Sequence, residues 1–347
     1  MTTSPGAKTG ALRAVQITAP DAAPVLAEVA PREPGPGAVR ITVEACGVCH
    51  SDLLIASGKL PGSTFPITPG HEIAGRIDAL GDGVEAWQVG DRVAVGWYGG
   101  SCGYCDACRS GDAVHCPRLA IPGVAYPGGY ADSVIVPAVA LAAVPGELTA
   151  TEAAPLACAG VTVFNALRRS AACPGDTVAV LGLGGLGHLG VQFAQKMGFR
   201  TVAIARGAKK KALALELGAA HYIDSTEGDV AEALQQFGGA KVVLATATNA
   251  DAMAATIDGL SRPGELIIVG IGSEPLQLTV RQLLRGDRKV YAHSSGTAVD
   301  TQDTLRFAAQ TGVRAWTEEV PLEETAQAVA KMTSGRARFR MVVTTGR

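Results

Sequence analysis

The chain lacks the features that send a protein to nucleic acid, to a membrane or out of the cell. Its 30 basic and 32 acidic residues nearly cancel, leaving a formal charge of −2. That gives no electrostatic footprint for nucleic acid or an anionic bilayer. Long hydrophobic runs are missing too. The longest, residues 134–144, is broken by Pro137 and falls short of the roughly 20 apolar residues of a spanning helix. The opening MTTSPGAKTG has no apolar segment of the kind a secretory signal requires and reads as a loose tail. There is no internal repeat, and the nearest approach to low complexity is the Pro/Gly-rich stretch 31–37. These absences lead to the expectation of a cytoplasmic protein with reduced thiols and no disulfide framework. With 347 residues and 47% hydrophobic content, two domains with two cores are expected.

Against that background, eight cysteines stand out, four of them within fifteen positions. GSCGYCDAC, followed by Cys116, places Cys102, Cys105, Cys108 and Cys116 in a C-x2-C-x2-C-x7-C pattern. Short gaps let successive thiolates turn inward on one ion, and Gly103 and Gly111 let the backbone fold tightly around it. Four sulfurs with no open position describe a structural zinc site, in a lobe at about residues 97–118. An iron–sulfur cluster, which also takes four thiolates, is the alternative.

Residues 176–181 read as a buried parallel strand that runs into GLGGLG. A periodic helix follows through about Met197 and stops at Gly198. A strand at 201–205, a helix ending near Gly218, a strand near 222–224 and strands at 241–245 and 266–270 continue the alternation. This is the pattern of a doubly wound sheet. Bare backbone N–H groups at a helix N-terminus cradle a pyrophosphate, so Gly182, Gly184, Gly185, Leu186 and Gly187 are candidate cofactor contacts. An acid about 20 residues on would hold the adenosine 2′-OH of NAD. It is missing. Ala205-Arg206-Gly207 stands there, followed by Lys209, Lys210 and Lys211. Arg206 and Lys211 would attract a 2′-phosphate, so NADP is favoured, with NAD as the alternative.

Three further stretches hold thiol, imidazole and carboxylate groups: CGVCHSD at 46–52, PGHE at 69–72 and PLACAG at 155–160. Taken singly, each has an ordinary reading as a packed cysteine or a surface turn. In this order, around a cysteine-rich lobe, they resemble the zinc-containing medium-chain alcohol dehydrogenases over essentially the whole chain after the first ten residues. The resemblance implies an α/β architecture. A GroES-like, mainly-β catalytic domain would occupy residues 1–157 and 293–347, and a Rossmann cofactor domain residues 158–292, with the active site in the cleft. It implies a catalytic zinc on Cys49, His71 and Cys158, with Glu72 as an exchangeable ligand and Asp52 orienting the histidine. With the four-thiol lobe, that makes two zinc ions per chain. Ser51 would pass the substrate proton onward. The histidine that ends this relay in many relatives is replaced by Leu54, leaving water or His50 as the exit. His50 and Arg340 match pyrophosphate contacts, Thr162 a nicotinamide contact, and Leu54, Phe65 and Trp97 an apolar substrate pocket. Cys46 and Cys173 are left over as buried thiols.

The implied activity is reversible hydride transfer between a primary or secondary alcohol and NAD(P)+, in a homo-oligomer, dimer or tetramer, acting on a small alcohol or aldehyde. A cinnamyl-alcohol-type aromatic aldehyde reductase using NADPH is the enzymatic alternative. A non-catalytic dinucleotide-binding structural or regulatory protein is the alternative from another class, and the intact Cys49, Ser51, His71 and Cys158 set speaks against it.

Overall fold

The computed structural model describes residues 11–347; the stretch 1–10, expected as a loose tail, lies outside the described residues. An antiparallel pair, β1 (Leu12–Gln16) and β2 (Val25–Val29), opens the fold. It is followed by β3 (Ala38–Gly47), β4 (Ile73–Leu80), β5 (Arg92–Val95), β6 (Ser133–Pro137) and β7 (Ala142–Ala143). The cofactor half supplies β8 (Thr177–Leu181), β9 (Arg200–Ala205), β10 (His221–Asp224), β11 (Ala240–Ala245), β12 (Leu260–Ile268) and β13 (Lys289–Ala292). The chain then returns through β14 (Thr317–Pro321) and β15 (Arg340–Thr344).

Two large sheets result. One has seven strands in the order β14-β15-β3-β4-β5-β7, with β6 also on β3. Its longest strand shows why it forms: in AVRITVEACG, Val39, Ile41 and Val43 point inward while Arg40, Thr42 and Glu44 point outward, the period of two of a half-solvated strand. The other sheet has six parallel strands in the order β10-β9-β8-β11-β12-β13. Its central strand, TVAVL, is buried along its whole length, as a sheet covered by helices on both faces requires. Strand order reverses between β8 and β11, which opens a crevice at their C-terminal ends. β12 begins earlier than its sequence suggests, because Leu260 already pairs with Ala240 across a register shift.

The two sheets share a core. Ala45 and Ala74 of the first and Val178 and Val242 of the second belong to one continuous apolar cluster with Leu156, Phe164 and Phe193. At its centre runs the helical segment Ala150–Arg168, begun by a capping box between Thr149 and Glu152. By length and composition it could cross a membrane, but 78% of it is buried inside the protein. It also crosses the expected domain boundary at 157/158 without interruption. Cys173, expected as a buried thiol, is exposed. It sits in the polar turn before β8, where its N–H donates to Asp176 Oδ2. Cys46 is buried as expected.

Asp132, just before β6, ties the opening strand pair to the residues that follow β15. Its Oδ1 accepts from Arg13 Nη2 at 2.7 Å, and its Oδ2 accepts from Arg347 Nη2 at 2.9 Å and from the Arg13 backbone N–H at 2.8 Å. Burial opposes its ionisation, yet hydrogen bonds from the two arginines outweigh burial and hold the carboxyl down at about 2. Because the folded pKa is depressed, the stabilisation is present above the ordinary carboxylate value of about 4 and is lost as pH falls through about 2. Asp132→Asn is expected to cost about 1–3 kcal/mol near neutral pH. Thermal melts across pH should show the two proteins converging as the medium is acidified.

Candidate active site

Four elements far apart in sequence meet at the cleft. Cys49 follows β3, where the chain turns into the short helix Ser51–Ala56. His71 and Glu72 sit just before β4, in a turn entered at Gly70 with φ of 103°. Only glycine serves there: a Cβ would meet Cys46 Sγ and the Tyr130 backbone nitrogen at 2.8 Å each. Cys158 lies in the middle of the long helix. Pro155 removes one backbone N–H there, and residues Leu156–Gly160 form a widened, π-type turn.

The ligand atoms of Cys49, His71, Glu72 and Cys158 all lie within 4.8 Å of one another. Asp52, itself buried, fixes the imidazole. Its Oδ1 accepts from His71 Nδ1 at 2.9 Å, and its Oδ2 accepts from the Cys49 backbone N–H at 2.9 Å and the Tyr130 hydroxyl at 2.7 Å. With Nδ1 held, Nε2 turns to the cluster and stands 3.5 Å from Cys158 Sγ. A tetrahedral ion about 2.3 Å from sulfur and about 2.0 Å from nitrogen separates the two by about 3.5 Å, so the donors fit zinc. One Glu72 oxygen pairs with Arg340, and the other, buried, has no hydrogen-bond partner among the described residues. Burial pushes the Glu72 carboxyl up to about 7, with Arg340 pulling the other way. A hydrogen bond from Cys158, with His71 close by, holds Cys49 below the ordinary thiol value despite burial.

Cys102, Cys105, Cys108 and Cys116 converge in their own lobe. Their close sulfur pairs stand 3.5, 3.6, 3.8 and 4.0 Å apart. Four sulfurs about 2.3 Å from a tetrahedral centre would be about 3.8 Å apart. All four are free thiols.

At the crevice, Gly182 leaves β8 with φ of 99°, and a Cβ on Gly187 would overlap the Gly182 carbonyl. Gly184 faces open space, as a loop that receives a pyrophosphate requires. A Cβ on Gly185 would meet Arg340 Nη1 at 2.8 Å, which puts that guanidinium beside the loop. Thr162 is buried one helical turn beyond Cys158, Ser51 is half-buried at its helix start, and His50 is exposed beside it. Trp97 meets the His71 ring edge-on at 5.0 Å, and Phe65 packs in the same small cluster, which does not include Leu54.

A cavity of about 610 Å³ at the end of β9 is lined by Arg206, Lys209 and Lys210. Lys211 does not line it: it opens the helix Lys211–Glu216 and points to solvent, so Lys210 takes the place expected of Lys211. The nearby acid Asp224 accepts, through Oδ1, from the Gly207 and Thr226 N–H groups and the Thr226 hydroxyl. Tyr130, bonded to Asp52 beside the ligand cluster, is a residue that sequence reasoning missed. Nothing local to Tyr130 marks its bond to a carboxylate 78 positions away.

A doubly wound sheet with a glycine turn, joined to a β-rich domain that brings thiols and an imidazole to one point, defines the class of metal-dependent nicotinamide dehydrogenases. Residues 35–146 match the family model "Alcohol dehydrogenase GroES-like domain", and residues 185–310 match "Zinc-binding dehydrogenase". The alcohol dehydrogenase notN of Aspergillus sp. is 43% identical over 92% of this chain and 94% of its own. The cinnamyl alcohol dehydrogenase structure from Sorghum bicolor superposes with a TM-score of 0.88 at 29% identity, over 96% of this chain and 97% of that one. The Helicobacter pylori structure described as a CAD complexed with NADP(H) gives 0.85 at 27%, over the same shares. The chain belongs to the zinc-containing alcohol dehydrogenases of the medium-chain dehydrogenase family. It is an oxidoreductase acting on alcohols, with zinc and a nicotinamide cofactor.

Gly47 guards the ligand cluster from beneath, since a Cβ there would overlap Glu72 Oε2. Gly47→Ala must therefore displace a buried carboxylate or the strand beneath it. Turnover is expected to fall by at least about tenfold, with a stability loss of about 1–3 kcal/mol; steady-state rates and denaturant melts check both.

Proposed function

We propose that Cys49, His71 and Cys158 hold a catalytic zinc, with Glu72 as exchangeable ligand, and that the four-thiol lobe holds a second, structural one. The observation that carries this reading is the convergence of three donor side chains from remote parts of the sequence on one point, in a geometry suited to zinc. Zinc there would act as a Lewis acid on the substrate oxygen, and nicotinamide would exchange the hydride. Around them the chain supplies position and proton traffic. Asp52 fixes the His71 tautomer, and the Ser51 hydroxyl takes the substrate proton toward solvent. With Leu54 in the place of a relay histidine, the exit runs through water or the exposed His50. Thr162 bounds the nicotinamide end, and His50, the glycine loop and Arg340 meet the pyrophosphate. The catalytic domain in this reading comprises residues 1–157 and 293–347, and the cofactor domain residues 158–292.

NADP is the favoured cofactor, because Arg206 and Lys210 line the cavity beyond β9 while no carboxylate among the described residues does. The Helicobacter pylori relative, described with NADP(H), is in keeping with that. Trp97 and Phe65 point to an apolar or aromatic alcohol, in line with the name of the Sorghum bicolor relative. A cytoplasmic homo-oligomer, dimer or tetramer, completes the reading. Among the described residues β13 leaves one edge of its sheet unpaired, and Ile271, Val280 and Leu284 stand more than 70% exposed.

Cys49→Ala, His71→Ala and Cys158→Ala are each expected to abolish turnover while leaving a folded protein that binds cofactor. Metal analysis should fall from about two zinc ions per chain to about one. Full activity in any of the three would remove that residue from the metal shell. Cys105→Ala should instead lower the melting temperature, because metal binding there is coupled to folding.

A further inference from the structure

We propose that Arg338, on the segment that returns to the catalytic sheet, closes on the 2′-phosphate of NADP from across the cleft and sets cofactor preference together with Arg206. This rests on the reading of an NADP site at Arg206.

The cavity beyond β9 is built from two remote parts of the chain. Leu183, Arg206, Lys209 and Lys210 come from the cofactor sheet, and Arg338 and Phe339 from the approach to β15. Phe339 is buried and stacks on His188, ring centroids 4.7 Å apart. His188 in turn is tied to the glycine loop through the Gly184 carbonyl at 3.1 Å, and its Nε2 accepts the Trp316 N–H at 3.2 Å. The Arg338 backbone is thus pinned against the dinucleotide loop. Arg338 Nη1 donates to the carbonyls of Ala337 at 3.0 Å and Gly335 at 3.3 Å, which steadies the guanidinium.

Among the described residues, four cationic side chains line this cavity and no carboxylate does. The nearest acid on the Arg338 side, Glu318, is taken by Lys331 and by the Arg338 backbone N–H. Burial, then Arg338 and Arg206, hold the Lys210 ammonium below its ordinary pKa, a sign that like charges face one another. Such a set is self-repelling until an anion enters. A 2′-phosphate supplies that anion, and planar guanidinium groups grip phosphate oxygens with charge-assisted hydrogen bonds. A 2′-hydroxyl offers nothing to neutralise.

Calorimetry with 2′,5′-ADP and with 5′-AMP isolates this contact without any turnover. The parent chain is expected to prefer 2′,5′-ADP. Arg338→Ala should weaken 2′,5′-ADP and NADPH by about tenfold and leave 5′-AMP and NADH within about twofold, with Arg338→Lys restoring part of the loss. Equal weakening of all four ligands would mean a merely structural role and overturn the proposal. Should Arg206→Ala abolish the preference for 2′,5′-ADP while Arg338→Ala leaves it intact, the role of Arg338 falls and the NADP reading stands. A parent chain that binds 5′-AMP as well as 2′,5′-ADP would overturn both.

Discussion

The active site hangs on one buried ion pair. Arg340 and Glu72 are both almost fully enclosed, and Arg340 Nη2 donates at once to the Glu72 carboxylate and to the Val48 carbonyl at 3.0 Å. Taking two charges out of water is costly, and the cost is recovered only where geometry and additional hydrogen bonds are good. Here the pair joins three things. Glu72 belongs to the ligand cluster, Val48 immediately precedes Cys49, and the other end of the guanidinium borders Gly185 in the dinucleotide loop. Leaving either charge alone in that place would cost about 3–5 kcal/mol. The donor cluster and the glycine loop therefore share a single electrostatic support, and neither can shift without unpairing it.

The features legible in the sequence are those whose partners are close along the chain. The four-thiol lobe declares itself because three of its sulfurs lie three residues apart, and the glycine loop because strand, turn and helix are consecutive. Strands of the cofactor sheet were visible as short apolar runs, since both of their faces are covered. The dispersed ligands are different. Nothing in CGVCHSD says that its second cysteine meets a residue on a helix more than a hundred positions later, so resemblance had to supply the connection.

Where expectation and structure part, the causes are local. Periodicity locates a helix without fixing its first residue, and the start at Lys211 turned that side chain to solvent while Lys210 stayed in the cavity. Cysteine as a residue type favours burial, but Cys173 falls in a polar turn that keeps its thiol outside. Tyr130 and Arg338 act on groups contributed by other elements, so their environment appears only with the tertiary fold.

The rod formed by residues 150–168 packs at one end on β3 and β4 and at the other on the helix Gly187–Lys196. Cys158 is near its midpoint. Its sulfur is thus placed by a single element anchored in both halves at once, so the position of this one donor is set jointly by the two layers that form the crevice.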